Sequence, residues 1–477
     1  MILLLFFILS VVLSAVTLVS RNKAFTRVMV LLFAAVLIAI TVHAWLSRGR
    51  TELEYFTYDS TAVLLLSVLA LLTLPTVYHG FIYTRDDTVK RHNIYHSGLI
   101  ALMAFMAGAY LANTMTVLWI FVEATTLAVA VLIYHDRTEM ALEATWKYVF
   151  ICSTGIALAY LGILFLGFIY GRGDAPNLSF SSFGAVISSA NPLYLKIAFI
   201  FVLVGFSTKM GLFPMHTVTI DAHSVAPPPV SALISTTLMN VGFLAIYRVY
   251  TLFSGTPVLS FMNHVLILAG VLSLLVAAGY MLKAKHLKRM LAYSSLENMG
   301  LVALALGAGS YGYYAALLLI VLHSLAKSSL FYQMGQLSRI LHTFRLDDSG
   351  RYMKLYPAGA MVLMTGMICI LAIPPSGMFI SELMIFRAMV ANSQWFILAT
   401  AVILLSFIIY AMSVRVMHVS FSTPRNEGEF KLPGPVNPVE TVSQFILLAI
   451  VIMICFWQPP FLTDLISNSI ASLPGLK

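Results

Sequence analysis

Four charged side chains interrupt otherwise apolar stretches of this chain: Glu123 in LWIFVEATTLAV, Lys209 in GFSTKMGLFPMH, Lys327 in HSLAKSSLF and Glu382 in MFISELMIF. A charge at the centre of a bilayer costs about 2.5–3.5 kcal/mol on insertion scales, so side chains kept there usually have a task. Two of the four are acidic and two basic, so pairing can cancel the buried charge. Burial or a partner moves such groups between protonation states, and that is what a proton relay requires. The structural alternative is polar glue between helices. His323 precedes Lys327 by four residues and shares its helical face. An imidazole exchanges its proton near neutrality, which makes the pair a relay step; otherwise the histidine is simply satisfied by a neighbouring carbonyl.

Two of the charges sit beside helix breakers. Gly211 and Pro214 follow Lys209 within five residues, and Pro374, Pro375 and Gly377 precede Glu382 in AIPPSGMFISE. Proline removes a backbone donor and glycine loosens the turn, so both segments are expected to be interrupted. Paired interrupted spans suggest two related halves, which in transporters are often inverted. After the first break comes HTVTIDAHSVAPPPVSAL, with His216, Asp221, His223 and three prolines. The H-x4-D-x-H spacing is no recognised metal motif, so a polar connection or access route is expected and no metal. Glu143 and Lys147 form an i,i+4 pair in the favourable order. Glu297, in HLKRMLAYSSLENMG, is expected near the membrane interface.

The elements that must hold these residues are membrane helices. Hydrophobic residues make up 60% of the 477, charged residues 10%, and mean hydropathy is +0.92; a soluble domain carries about 25% charged residues. Apolar runs of spanning length, about 20 residues, fall near 1–20, 25–46, 61–84, 96–112, 114–134, 147–170, 193–213, 227–252, 261–282, 290–309, 312–338, 357–386, 394–420 and 440–465. That gives fourteen, the fourth and fifth joined by a tight turn near Asn113, in a single membrane domain over 1–477. The N-terminal run lacks a basic n-region and a clear cleavage site, so it is expected to be a first span, not a signal peptide. Loops after odd-numbered runs hold 19 Lys and Arg against 7 on the other side, which predicts cytoplasmic odd loops and both termini outside. The net charge of +9 resides in these topology signals and implies no nucleic acid. Cys152, Cys369 and Cys455 are dispersed and form no CxxC, so no iron–sulfur or zinc ligation is expected.

The motifs FVEATTL, TKMGLFPMHTVTIDAHSVAPPPVSALIS, HLKRMLAYSSLENMG, LHSLAKSSLF and PPSGMFISEL, in this order, resemble the antiporter-like membrane subunits of respiratory complex I, multisubunit cation/proton antiporters and membrane-bound nickel–iron hydrogenases. LEATWKY, LAYSSLENMG and HSLAKSSLF point to the hydrogenase branch, which includes formate hydrogenlyase. The resemblance implies an all-α membrane fold of fourteen helices with two inverted five-helix repeats, helices four to eight (about 96–252) and nine to thirteen (about 261–420), the seventh and twelfth being broken. It implies a relay of Glu123, Lys147, Lys209, His323, Lys327 and Glu382, with Glu123 and Lys209 as an ion pair and Glu382 as the terminal residue. Two departures stand out: Val218, Thr219 and Ile220 replace the W-L-P that many relatives carry after the first histidine, and Asn240 occupies a position that is often Lys or His. A neutral amide holds no proton, so water would have to link Lys209 and His323.

The function so implied is a proton-translocating, non-redox subunit of an energy-converting redox complex. The alternative is a subunit of a multisubunit Na+/H+ antiporter. With no cofactor motif in the chain, electron transfer would belong to partners: redox-module or other antiporter-like membrane subunits in a prokaryotic cytoplasmic (inner) membrane. The sequence leaves proton against sodium open.

Overall fold

The structure, a computed structural model, describes residues 2–170, 179, 180, 183, 187, 190–424 and 436–474, with backbone alone at 168–170. Arg172, Arg425, Lys431 and Lys477, counted above for orientation, lie outside the described residues, as does most of the polar loop from Phe421 to about Glu440. Among the described residues the named elements are helices and one two-stranded hairpin, Thr51–Glu52 with Phe56–Thr57.

The helices are α1 (Ile2–Val19), α2 (Lys23–Leu46), α3 (Ser60–Tyr83), α4 (Val89–Leu111), α5 (Met115–Ile133), α6 (Glu139–Tyr170) and α7 (Pro192–Met210). There follow α8 (Thr217–Val225), α9 (Pro228–Leu233), α10 (Met239–Phe253), α11 (Leu259–Leu282), α12 (Leu287–Ala308) and α13 (Tyr311–Leu341). A short α14 (Tyr352–Leu355) precedes α15 (Pro357–Ile370), α16 (Gly377–Ala391), α17 (Trp395–Phe421), α18 (Val439–Phe456) and α19 (Pro460–Ile470). A π-helical turn, Ile234–Leu238, fuses α9 and α10 into one span. Among the described residues, 13 helices are long and apolar enough to cross a membrane. The broken pair α15 and α16 supplies the fourteenth run expected from the sequence. Four boundaries differ by five residues or more: the fourth and sixth helices begin earlier, the twelfth run extends to Ala391, and the last run stops at Phe456, with α19 following as a separate amphipathic piece.

Two compact units divide the chain. The first holds Met1–Ala226, Thr237–Val265 and Phe461–Lys477; the second holds Pro227–Thr236 and Leu266–Pro460. Within each, hydrogen bonds between loops respect the alternation of faces that fourteen crossings demand. In the first unit Lys23 donates to Arg85 O at 2.9 Å and His135 meets Asp87 at 2.9 Å, joining the first, third and fifth loops. Asn113, in the tight turn, donates to Tyr55 O at 2.6 Å and accepts from Phe180 N at 3.1 Å, joining the second, fourth and sixth. The turn at Asn113 is therefore a true reversal between two spans. In the second unit Leu287 N bonds Phe344 O at 2.9 Å and Arg351 N bonds Ser422 O at 2.8 Å, both between odd loops, while Asn392 reaches Ala308 O at 2.6 Å between even ones.

Arg248, at the end of α10, fastens the even-loop face of the first unit. Its guanidinium donates to Asp59 at 2.8 Å, to Tyr110 O at 2.9 Å and to Ala112 O, and it covers the Phe180 ring at 5.2 Å. Asp59 also caps α3 through Ala62 N at 2.8 Å. Replacing Arg248 by Ala would strand two backbone acceptors, each costing about 1–3 kcal/mol when buried. The Arg248→Ala protein should therefore melt well below wild type in detergent. Arg248→Lys should recover only part, because a lysine lacks the planar fork that serves several acceptors at once.

Candidate functional site

In the first unit the site is built around the end of α7. Lys209 lies in its last turn, where the helix C-terminus favours a cation. Gly211 then turns the chain with φ +69°, a left-handed conformation suited to glycine. The terminal carbonyls of a helix lack partners in their own helix. Thr219 Oγ1, from α8, supplies one by donating to Thr208 O at 3.0 Å across the break. Glycines bring neighbouring helices to the same place. A Cβ on Gly242 of α10 would lie 2.3 Å from Met210 N, and one on Gly205 would lie 2.5 Å from Gly155 O of α6. Both contacts are with backbone, so the packing that seats Lys209 depends on there being no side chain at these points.

The Lys209 ammonium is buried. It donates to Thr126 Oγ1 at 2.8 Å and to the Tyr148 hydroxyl at 3.0 Å, and lies 4.8 Å from the Tyr148 ring centroid. Thr126 in turn donates to Glu123 Oε2 at 3.3 Å, and Ser153 donates to Glu123 Oε1 at 2.8 Å. Glu123 and Lys209 are thus brought together with a hydroxyl between them, not as the directly touching ion pair that the resemblance implies. The physical reason is the order along α5: Thr126 stands one turn beyond Glu123 on the same face and accepts the lysine's hydrogen bond.

Lys147 is not part of this cluster. Half exposed, it lies 2.5 Å from Glu143 and 3.9 Å from Asp221 of α8; its neighbour Tyr148 points inward instead. His216 is buried between α7 and α8 with its ring 5.9 Å from that of Phe213, and His223 is buried on α8. Among the described residues no three or more His, Cys, Asp or Glu gather as metal ligands would. Asn240 is buried on α10, two residues before Gly242.

The second unit repeats the chemistry with different parts. Lys327, fully buried on α13, donates to Leu291 O at 2.5 Å and to Ser294 Oγ, both on α12. His323 is buried one turn earlier on α13. Ser235 meets Ser295 at 2.7 Å, extending the hydroxyl lining to the π turn. Glu382 lies in the second turn of α16, beyond the break. Here the break is bridged as in the first unit: Ser376 caps α16 through Met378 N at 3.1 Å and donates to Cys369 O at 3.1 Å.

Glu297 is not at the interface as expected from the sequence. It is buried ten residues into α12, about 15 Å along the axis at 1.5 Å per residue, and within electrostatic range of both Lys327 and Glu382. The basic run before it misled: Lys288, in that run, is itself buried, 5.7 Å from the Phe344 ring. Thr126 was readable from its i+3 spacing to Glu123; Tyr148 was not, because its partner Lys209 is 61 residues away.

Long apolar helices that bury Lys209, Lys327 and Glu297, with Lys209 and Glu382 beside the two breaks, define a polytopic membrane protein built around intramembrane charge. The chain belongs to the NADH:quinone oxidoreductase/Mrp antiporter transmembrane family, whose model matches residues 112–408 and so takes in every site residue from Glu123 to Glu382. It is 35% identical over 339 residues to the Hydrogenase-4 component F homolog of Methylacidiphilum infernorum (isolate V4), covering 70% of this chain and 71% of that protein. It is 27% identical over 357 residues to Hydrogenase-4 component B of Escherichia coli (strain K12), covering 70% of this chain but only 51% of that longer protein. The fold matches a chain of the Mrp complex from Dietzia sp. DQ12-45-1b with a TM-score of 0.87 at 17% identity, covering 99% of this chain and 97% of that one.

The geometry makes Thr126 the residue to remove. Thr126→Val keeps the shape and deletes the one hydroxyl among the described residues that touches both charges, so proton uptake by vesicles carrying the intact complex should fall sharply. Thr126→Ser should retain most of it. Equal uptake in Val and wild-type vesicles would show that the bridge plays no part.

Proposed function

We propose that this chain is the proton-translocating membrane subunit of an energy-converting redox complex, of the hydrogenase or complex I-like kind. The observation that carries the reading is the arrangement in each unit: a buried lysine held by two hydroxyls in the first and by a hydroxyl and a carbonyl in the second, with a glutamate one polar step or an electrostatic interaction away. In the first unit a proton can leave the Lys209 ammonium for Thr126 Oγ1 as the Thr126 hydroxyl proton passes to Glu123. Atoms and charge balance: an ammonium and a carboxylate become an amine and a carboxylic acid. The reverse hop restores the pair. In the second unit Glu297 interacts electrostatically with both Lys327 and Glu382, so a proton on Glu297 changes the charge that Lys327 faces. His323 supplies a further exchangeable site one turn away.

Electron transfer in this reading takes place in partner subunits, since no cofactor motif is present in the chain. Its other partners are membrane subunits of the same complex and the surrounding lipid. A second reading, a subunit of a multisubunit cation/proton antiporter, is favoured by the fold shared with the Mrp subunit. Subunit identification in the purified native complex separates the two: nickel and iron–sulfur subunits support the first, small antiporter subunits the second. The membrane proposed is the prokaryotic cytoplasmic membrane, with both termini outside by the Lys and Arg bias.

Glu123→Gln should abolish proton uptake while the complex still assembles. Glu382→Gln should block it and Glu382→Asp retain part, since a titratable group remains within about one methylene of its place. Uptake equal to wild type in the assembled Gln variants would remove these carboxyls from the pathway.

Orientation is checked by reporters fused after Lys477. An external reporter should be active there and a cytoplasmic one silent; the opposite result would invert the topology.

A further inference from the structure

Three histidines outside the relay meet on the odd-loop face of the first unit, where α3, α4 and the 3-10 turn Tyr134–Asp136 come together. Thr84 Oγ1 donates to Gly80 O at 2.8 Å and lies 2.8 Å from His92 Nδ1 and 3.2 Å from His96 Nε2. The threonine's hydrogen is already committed, so both imidazoles face it with N–H. Each neutral ring then carries its lone pair on the other nitrogen. Those atoms, His92 Nε2 and His96 Nδ1, are buried without a hydrogen-bond partner. Both rings are thus buried bases with an unused acceptor. Their centroids are 4.4 Å apart, too close for both to be charged together at low cost.

Ring contacts lead outward from this pair. The Tyr95 ring lies 5.0 Å from His96 on one side and 5.0 Å from His135 on the other, and His135 Nε2 meets Asp87 Oδ2 at 2.9 Å. Asp87 keeps some contact with solvent while His92 and His96 have none. Gly80 makes the room: a Cβ there would come within 3.2 Å of the Tyr95 ring and 3.5 Å of His96. The charged and titratable groups around the cluster are Arg27, Lys23 and Asp87 near His92; His92, His135 and Arg27 near His96; and Asp87, Asp136 and Arg91 near His135, with Arg91 Nε also 3.8 Å from Asp87 Oδ1. On α4, His96 lies seven residues from the odd-loop end, about 11 Å deep, and on the adjoining antiparallel α5 Glu123 lies ten residues from that end, about 15 Å deep. The cluster therefore stops within about one helical turn of the depth of Glu123.

We infer that Asp87, His135, His92 and His96 form a proton-collecting site that takes protons from the odd-loop face, with His92 and His96 sharing one proton, and delivers them to the Glu123 end of the relay in the same unit. The inference rests on the proton-translocating reading above.

The test is the pH profile of proton uptake by vesicles carrying the whole complex, for wild type, His96→Gln, Asp87→Asn and Asp87→Glu. Histidine exchange spans about pH 5 to 8. With supply limiting at the alkaline end, His96→Gln and Asp87→Asn should lower uptake roughly ten-fold near pH 8 and leave it close to wild type near pH 5, while Asp87→Glu keeps the wild-type profile. Infrared titration of the purified complex should show one imidazole protonation lost in His96→Gln. Profiles that superimpose on wild type, or fall equally at every pH with lower complex yield, would overturn the inference and leave a packing cluster. A Glu123→Gln variant run beside them separates the two readings. If it pumps normally, translocation by this chain fails; if it is blocked and the histidine variants are normal, only the collecting site fails.

Discussion

Placing an ammonium group among apolar helices is the constraint on which the rest of this structure depends. Water is absent from the hydrocarbon, so every donor on the ammonium needs a protein acceptor or the charge is lost. Lys209 and Lys327 meet that demand differently. Lys209 sits at a helix end, where unsatisfied carbonyls already favour a cation, and leans on a threonine and a tyrosine. Lys327 sits in the middle of a long unbroken helix and takes its acceptors from a carbonyl and a serine on the neighbouring one. Ending a helix inside the membrane creates a debt of its own, because the last carbonyls are orphaned. The bonds from Thr219 to Thr208 O and from Ser376 to Cys369 O settle it at the two breaks with the same chemistry. In the first of these, Thr219 supplies the hydroxyl that the break uses.

Close helix packing is the second requirement. Between membrane helices there is little hydrophobic driving force, and small residues let backbones approach so that dispersion and short polar contacts hold them. Gly205 against Gly155 and Gly242 against the Met210 amide put the end of α7 in register with α6 and α10. Without that fit, the Lys209 chain would not reach Thr126 and Tyr148 at hydrogen-bond distance.

Most of the architecture was legible in the residues because it follows from length, hydropathy and breakers. Fourteen runs, a reversal at Asn113 and interruptions after Lys209 and before Glu382 all depend on local composition, and all are found. What was not legible depends on which way neighbouring side chains turn once helices pack. Lys147 and Tyr148 are adjacent, yet one faces outward to Glu143 and the other inward to Lys209. Glu297 follows a basic segment that reads as a loop, yet α12 carries it to the core. The histidine cluster was invisible for the same reason: Asp87, His92, His96 and His135 belong to three elements, and each alone looks like an ordinary polar residue at a helix end.

The hydroxyl between Glu123 and Lys209 decides what kind of pair they make. Two unit charges in direct contact, about 3 Å apart, attract by roughly 5–6 kcal/mol at an effective dielectric of 20; at about 6 Å the attraction is roughly half that. A contact pair in a low-dielectric site would be a trap, hard to open and hard to neutralise. Separated by Thr126, the charges remain coupled through two hydrogen bonds, but a single proton arriving at the carboxylate removes most of the reason for the lysine to stay charged. In the proposed relay the threonine would also be the path, since its hydroxyl accepts from nitrogen and donates to oxygen in the same geometry. The bridge that weakens the pair is thus also what makes it reversible.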